Sequence, residues 1–205
     1  MISMRVLIVS QTNMAGAYCI GGLLRDTNEN VRLMEKGGVN PYLTTPYNIG
    51  QIWELEFTKR NKMTPPHVED IIVHQGTYLG RAKDFKGTLL DRVKVWRGNP
   101  NNLFDGMIRF NRGGSGYVSH QAGLPKQSVG FWLTSKPLYK FMGRYDRRRY
   151  RSGDYSTKIT YVGTAKPIDV IPTNTLLRVS LSRWWKPDSS DTEERCYLQL
   201  SGWYL

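Results

Sequence analysis

Frequent turn chemistry interrupts this chain, and the segments between the turns read as short strands. Gln51–Thr58 (QIWELEFT) is the clearest case: Trp53, Leu55 and Phe57 fall on one face and Glu54 and Glu56 on the other. That pattern specifies a half-buried strand. Arg5–Gln11 is rich in β-branched residues, and Tyr18–Leu24 and Val31–Met34 follow, separated by Asp26-Thr27-Asn28-Glu29-Asn30. The three read as strands, the last two joined in a hairpin. Gly21-Gly22 inside the second strand marks a bulge or sharp coil, as in a small closed barrel. Asp70–His74, Gly130–Thr134, Thr157–Val162, Leu176–Leu181 and Arg195–Leu200 are further strand candidates. Only Leu89, Leu90 and Val93 recur at helical spacing, so one short helix is expected there, capping a barrel.

A chain of 205 residues made of short strands suits two small barrels better than one sandwich. Gly98–Asn102 (GNPNN) is the best linker, which divides the chain at 1–98 and 99–205. Asn111–Gly116 (NRGGSG) reads as a flexible loop, and Lys186–Glu194 as a polar loop before the last strand. No residue-level repeat relates the halves. The longest apolar runs are far too short for a bilayer, and the N-terminus lacks the apolar core of a signal peptide, so a cytoplasmic protein without membrane contact is expected. Cys19 and Cys196, with no Cys-x-x-Cys pair, are expected to be reduced, buried core residues.

The net charge of +12 is uneven. Residues 1–100 hold 13 Lys and Arg against 9 acids, whereas residues 101–205 hold 16 against 8. Such an excess attracts nucleic acid, an acidic membrane or an acidic protein. From Lys126 to Lys166 there are ten basic residues and two acids, Asp146 and Asp154. At the centre lies Arg144-Tyr145-Asp146-Arg147-Arg148-Arg149-Tyr150-Arg151, bracketed by Gly143 and Gly153 as in a protruding hairpin or loop. Arginine forks pair with phosphates and tyrosines stack on bases. The candidate nucleic-acid-binding set is therefore Arg144, Tyr145, Arg147, Arg148, Arg149, Tyr150, Arg151, Lys140, Lys158, Arg183 and Trp185. The same run would also suit an acidic protein partner. Of Trp184-Trp185, neighbours on a strand, one can be core and the other exposed, although packing of both is the simpler reading. Trp203 and Tyr204 read as core.

No enzyme is expected. Asn111–Gly116 lacks the lysine and hydroxyl residue of a phosphate-binding loop, carboxylates are scattered, and neither cysteine has a catalytic context. His67, Asp70 and His74 are too irregularly spaced for one helical face, and read as a turn entering a strand. No metal site and no cofactor are expected.

Three blocks together resemble the dual OB-containing domain family of bacteria. They are Met4–Thr12 with Cys19-Ile20-Gly21-Gly22 and Val31-Arg32-Leu33; Tyr47–Trp53 with Pro65–Asp70; and Leu177–Trp185 with Arg195–Tyr204. The resemblance runs from end to end and aligns Met4 with the family's usual start. It implies two tandem OB-like barrels, mainly β with one or two short helices, and a nucleic-acid-binding role in genome-conflict or phage-defence settings. It supplies no catalytic residues. The function expected is a non-catalytic nucleic-acid-binding accessory protein; the alternative is an adaptor subunit that docks an acidic partner protein.

Overall fold

A computed structural model describes residues 1–14, 16–143, 147–154, 156–186 and 193–205. The chain forms two compact units, Met1–Val93 and Lys94–Leu205, each with its own apolar core.

The first unit is a closed five-stranded barrel of β1 (Ile2–Met14), β2 (Ala17–Leu24), β3 (Asn30–Met34), β4 (Gln51–Lys59) and β5 (Asp70–Arg81), in the order β1-β2-β3-β5-β4. β1 closes it, because Ile2–Leu7 pair with β4 and Val6–Met14 pair with β2. The barrel interior holds Val6, Ile8, Ile20, Leu24, Val31, Leu33, Leu55, Phe57 and Ile71. Leu55 and Phe57 point inward and Glu54 is exposed, as the alternation requires. The bulge signalled by Gly21-Gly22 falls on the opposing strand, where the register shifts between Ile8 and Ser10. Gly22 serves that crowding: a Cβ there would lie 2.5 Å from Val6 Cγ1 and would press on Val31 and Leu33.

β3 and β5 run parallel over only three pairs, Arg32–Asp70 to Met34–Ile72. Asp70 clasps this junction. Its carboxylate, 3% exposed, accepts from Arg32 Nε at 2.5 Å and from Arg60 Nη1 at 3.1 Å. The helix α1 (Phe85–Arg92) follows, with Asp84 accepting from Gly87 N as its N-cap and Leu89 buried. Arg92 Nη1 ties its end to Arg25 O at 2.7 Å.

The second unit starts earlier than the linker composition suggests. Val95–Gly98 is a strand, β6, paired in parallel with β9 (Val129–Thr134), and Pro100–Gly106 is a 3-10 turn. Trp96 donates to Asp105 Oδ1 at 2.9 Å and its ring lies 4.9 Å from Phe104, so this segment packs into the second core. The boundary is Val93/Lys94 rather than 98/99, and Gly98–Asn102 is an ordered turn rather than a linker. Asn111–Gly116 is likewise a tight turn. Asn111 Oδ1 accepts from Gly113 N and Ser115 N, joining β7 (Arg109–Phe110) to β8 (Gly116–Val118).

The remaining strands are β10 (Leu138–Met142), β11 (Arg148–Ser152), β12 (Lys158–Tyr161), β13 (Val170–Ile171), β14 (Leu176–Leu181) and β15 (Cys196–Tyr204). Their pairing repeats the first barrel. β9 pairs with β14 and β10 with β11, so β9 and β10, joined through Ser135-Lys136-Pro137, together take the place of one first strand. β11 then pairs with β12, β12 with β15 in parallel, and β15 with β14. β13 adds to β10, and β8 adds to the start of β15. This is the five-stranded OB arrangement a second time, with an interrupted first strand. No helix of the described residues is long and apolar enough to cross a membrane.

Both cysteines are unbridged, but only Cys196 is buried; Cys19 is half-buried on β2. Burial, and then Glu194, push the Cys196 thiol up to about 12. Native thiol labelling should therefore reach Cys19 first and Cys196 only on unfolding.

Asp70 generates a second expectation. Burial alone would raise its pKa, but the bonds and charges of Arg32 and Arg60 outweigh burial and hold it below the ordinary value. A depressed folded-state pKa contributes stability that is present above the unfolded value of about 3.9 and is lost as pH falls through the folded value. Denaturant titrations should show Asp70→Asn destabilised at neutral pH by roughly 3 kcal/mol, since two arginines lose a buried partner. The variant should also show a shallower loss of stability below about pH 4 than the parent.

Candidate nucleic-acid interface

On either side of the run's centre, β10 and β11 pair antiparallel, and Gly143 N donates to Arg147 O at 2.9 Å at the end of that hairpin. Arg144, Tyr145 and Asp146 lie outside the described residues. From Arg148 onward the chain is strand β11, and a strand points alternate side chains to opposite faces. Cross-strand pairs then assign each residue. Tyr150 pairs with Ile159 and is 0% exposed, its hydroxyl donating to Ile168 O at 2.7 Å. Tyr150 is thus a core residue and cannot stack on a base. Burial pushes its hydroxyl up to about 12.

Arg149 and Arg151 take the outer face. Two rows run across the strands there: Val170, Tyr139, Arg151, Lys158, and Phe141, Arg149, Thr160, Gln199. Arg151 lies over the Phe141 ring, 5.3 Å from its centroid. Arg149 Nε donates to Thr160 Oγ1 and its Nη2 to Ser115 Oγ, both at 3.2 Å. That fork fixes the guanidinium plane. Burial, then the charge of Arg147, lower its pKa from the usual arginine value. An anion placed between the two arginines would relieve that repulsion. Tyr139, beside Arg151, is 42% exposed.

Ser115 carries the surface onto the β7–β8 hairpin. Arg109 pairs with Tyr117 and Tyr117 with Tyr197, making a third row. The Tyr117 and Tyr197 rings are 6.2 Å apart, and Arg195 stands 3.9 Å over Tyr117. Trp185 exchanges backbone hydrogen bonds with Arg195, at 3.0 and 2.9 Å, and brings its indole within 6.0 Å of Tyr197. Trp185 is 53% exposed, whereas Trp184 turns inward, packs on the core and stacks on His120 at 4.4 Å. One tryptophan is packed and the other open, as alternation allows.

The structure therefore brings together Arg149, Arg151, Lys158 and Trp185. Arg147 and Arg148 are exposed at the end of the hairpin and Arg183 is exposed beside Trp184. Lys140 does not join them. It pairs with Tyr150, on the other side of β10, and its Nζ is held by Asp169. Tyr139, Phe141, Tyr117, Tyr197, Ser115, Arg109 and Arg195 complete the surface, and sequence reasoning missed all seven. Tyr139-x-Phe141 carried a period-two signal, but the others are adjacent only through pairing. The His67, Asp70 and His74 segment is otherwise engaged: Asp70 by two arginines, and His74 Nε2 by Thr58 Oγ1 at 3.1 Å. Among the described residues no three His, Cys, Asp or Glu side chains gather as metal ligands.

Two five-stranded barrels in tandem, the second bearing this basic aromatic face, define a double OB-fold protein. The family model for the dual OB-containing domain matches residues 4–203, and the chain belongs to that family. No curated protein matches it.

The two kinds of tyrosine can be told apart by stability. Tyr150→Ala should cost roughly 3–5 kcal/mol, as large core aromatics do. Tyr139→Ala should change stability by under about 0.5 kcal/mol, as a surface position does. Thermal or denaturant unfolding of the two variants checks the assignment.

Proposed function

We propose that the protein is a non-catalytic nucleic-acid-binding protein of the cytoplasm, and that its second barrel provides the binding face. OB barrels bind oligonucleotides on the face of their second and third strands and on the loops between strands one and two and strands four and five. In the second barrel those places are the outer face of β11 and β12, the β10–β11 loop, and residues 182–195 between β14 and β15. The observation that carries the reading is that Arg147, Arg149, Arg151, Lys158, Arg183 and Trp185 all fall on those three places, with Arg148 exposed at the end of the hairpin beside them. The charge is distributed accordingly. Residues 1–93 hold eleven Lys and Arg against nine acids, and residues 94–205 hold eighteen against eight.

The chemistry divides between two kinds of group. The guanidinium forks and Lys158 suit phosphates. The rings of Tyr139, Tyr197 and Trp185 offer faces on which any base can stack, so a single strand with little sequence preference is the ligand. The bonds that brace Arg149 limit the side-chain entropy lost on binding.

Binding of a labelled oligonucleotide across a salt series tests this. Arg147 and Arg148 are exposed, so replacing both by Ala should leave stability within about 0.5 kcal/mol. It should weaken binding on every sequence and reduce the slope of log K against log salt by about 0.7 for each single-strand phosphate that is no longer neutralised. Trp185→Ala should lose roughly 1–3 kcal/mol of single-strand affinity. If both variants match the parent, this face is not the binding surface. If the parent binds an acidic protein and no oligonucleotide, the adaptor role replaces this one.

A further inference from the structure

The first barrel carries a sheet edge with no strand beside it among the described residues. β3 ends at Met34, level with Ile72, while β5 continues to Arg81. Beyond that fork β5 pairs with β4 alone, and from Gln75 to Leu79 none of the described residues bonds to the backbone of its other edge. All five residues are exposed, and Tyr78 and Leu79 are each 48% exposed. An exposed edge of this kind is a template for another strand, and native proteins ordinarily cover or blunt it.

The lane vacated by β3 opens into a cleft of about 320 Å³, lined at one end by Leu33, Met34 and Glu35 and along β5 by Val73–Gly76. Tyr47 forms another wall. Its ring packs edge-on against Trp53 at 5.0 Å, and its hydroxyl reaches over Gly76, where a Cβ would sit 3.6 Å from the oxygen and 2.7 Å from Leu55 Cδ2. Glycine at 76 therefore keeps the floor of the cleft open. Thr45, also in the lining, has a buried hydroxyl with no hydrogen-bond partner among the described residues.

Carboxylates outnumber cations along this edge. Glu35 lines the cleft beside Lys36, and Glu54 and Glu56 pair with Thr77 and Gln75 on the adjoining strand face, with Arg5 opposite Glu54 on β1. None of the three carboxylates forms an ion pair with a described residue, in a chain of net charge +12. Net repulsion between two chains of charge +12 disfavours a second copy of this chain as occupant, whereas a basic segment of a partner without that net charge is complementary.

We propose that the β5 edge of the first barrel binds an extended basic segment of a partner protein by strand addition, with a lysine or arginine side chain entering the cleft toward Glu35. Main-chain hydrogen bonds to Gln75–Leu79 supply affinity, and alternate side chains supply specificity. The flanking residues of the segment are apolar and rest on Tyr78 and Leu79.

The test uses the full chain and a library of peptides of roughly six to eight residues, ordinary strand length. The peptides alternate apolar residues with Lys, Gln or Glu. Lys peptides should bind, Glu peptides should not, and bound peptide should slow amide exchange at Gln75–Leu79. Glu35→Lys should weaken Lys-peptide binding by about tenfold or more through like-charge repulsion. Leu79→Lys, at an exposed position that does not threaten the fold, should weaken it too. The Arg147→Ala/Arg148→Ala variant should bind the peptides like the parent, which separates this site from the nucleic-acid face. The proposal is overturned if no Lys peptide binds, if Glu peptides bind equally well, or if Glu35→Lys changes nothing. Protection of Gln75–Leu79 that grows with protein concentration alone would assign the edge to a second copy instead, and would equally overturn it.

Discussion

Each barrel depends on one strand hydrogen-bonded along both edges by different halves of its length. β1 does this without a break, passing from β4 to β2 with both neighbours present at Val6 and Leu7. Closure leaves an interior that only alternate residues can enter, and every other outward constraint in the barrel follows from that alternation. In the second unit the same task is divided between β9 and β10. Thr134 Oγ1 donates to Lys136 O at 2.6 Å across the break, so the corner is held by a side chain where the ladder is absent. Proline at 137 has no N–H to offer a ladder, so the interruption falls at a place where pairing could not continue through it.

The consequence for function is that surface and core are specified by the same alternation. Tyr150 is surrounded in sequence by arginines, yet it is the residue that fastens β11 to the core, with its ring 6.0 Å from Tyr161 and 5.9 Å from Trp203. Because it is anchored, its neighbours Arg149 and Arg151 must face outward. The position of these charges is thus set by aromatic packing on the opposite face. Likewise Cys196, Leu198 and Leu200 fill the interior while Arg195, Tyr197 and Gln199 take the outside.

This explains what could be read in the sequence and what could not. Gln51–Thr58 was legible because its polar and apolar residues alternate without interruption. Arg148–Ser152 has the same alternation, but arginine fills three of its positions and a charge run masks the period. The second half of β5 was missed because Gln75–Leu79 has no apolar face to bury. Gly98–Asn102 has the composition of a linker, yet Trp132 Nε1 donates to Gly98 O and packing on either side orders it. The aromatic faces at Tyr117, Tyr197 and Trp185 depend on pairings between distant segments. No local pattern announces them, whereas the arginine cluster is visible as composition alone.

The two barrels share a strand order and differ in what their surfaces leave unsatisfied among the described residues. In the first, backbone groups on an open edge and side-chain atoms such as the Thr45 hydroxyl lack partners, accompanied by carboxylates that form no ion pair with a described residue. In the second, β13 covers one flank of β10, and the surplus is guanidinium charge next to aromatic faces. An unpaired backbone edge is satisfied by another backbone, and surplus guanidinium charge is satisfied by phosphate or carboxylate. A polyanion would find little on the first surface, with its carboxylates, and a basic extended segment would be repelled by the second. One architecture used twice thus carries two surfaces of different charge, and the difference resides in side chains that the barrel interiors leave free to vary.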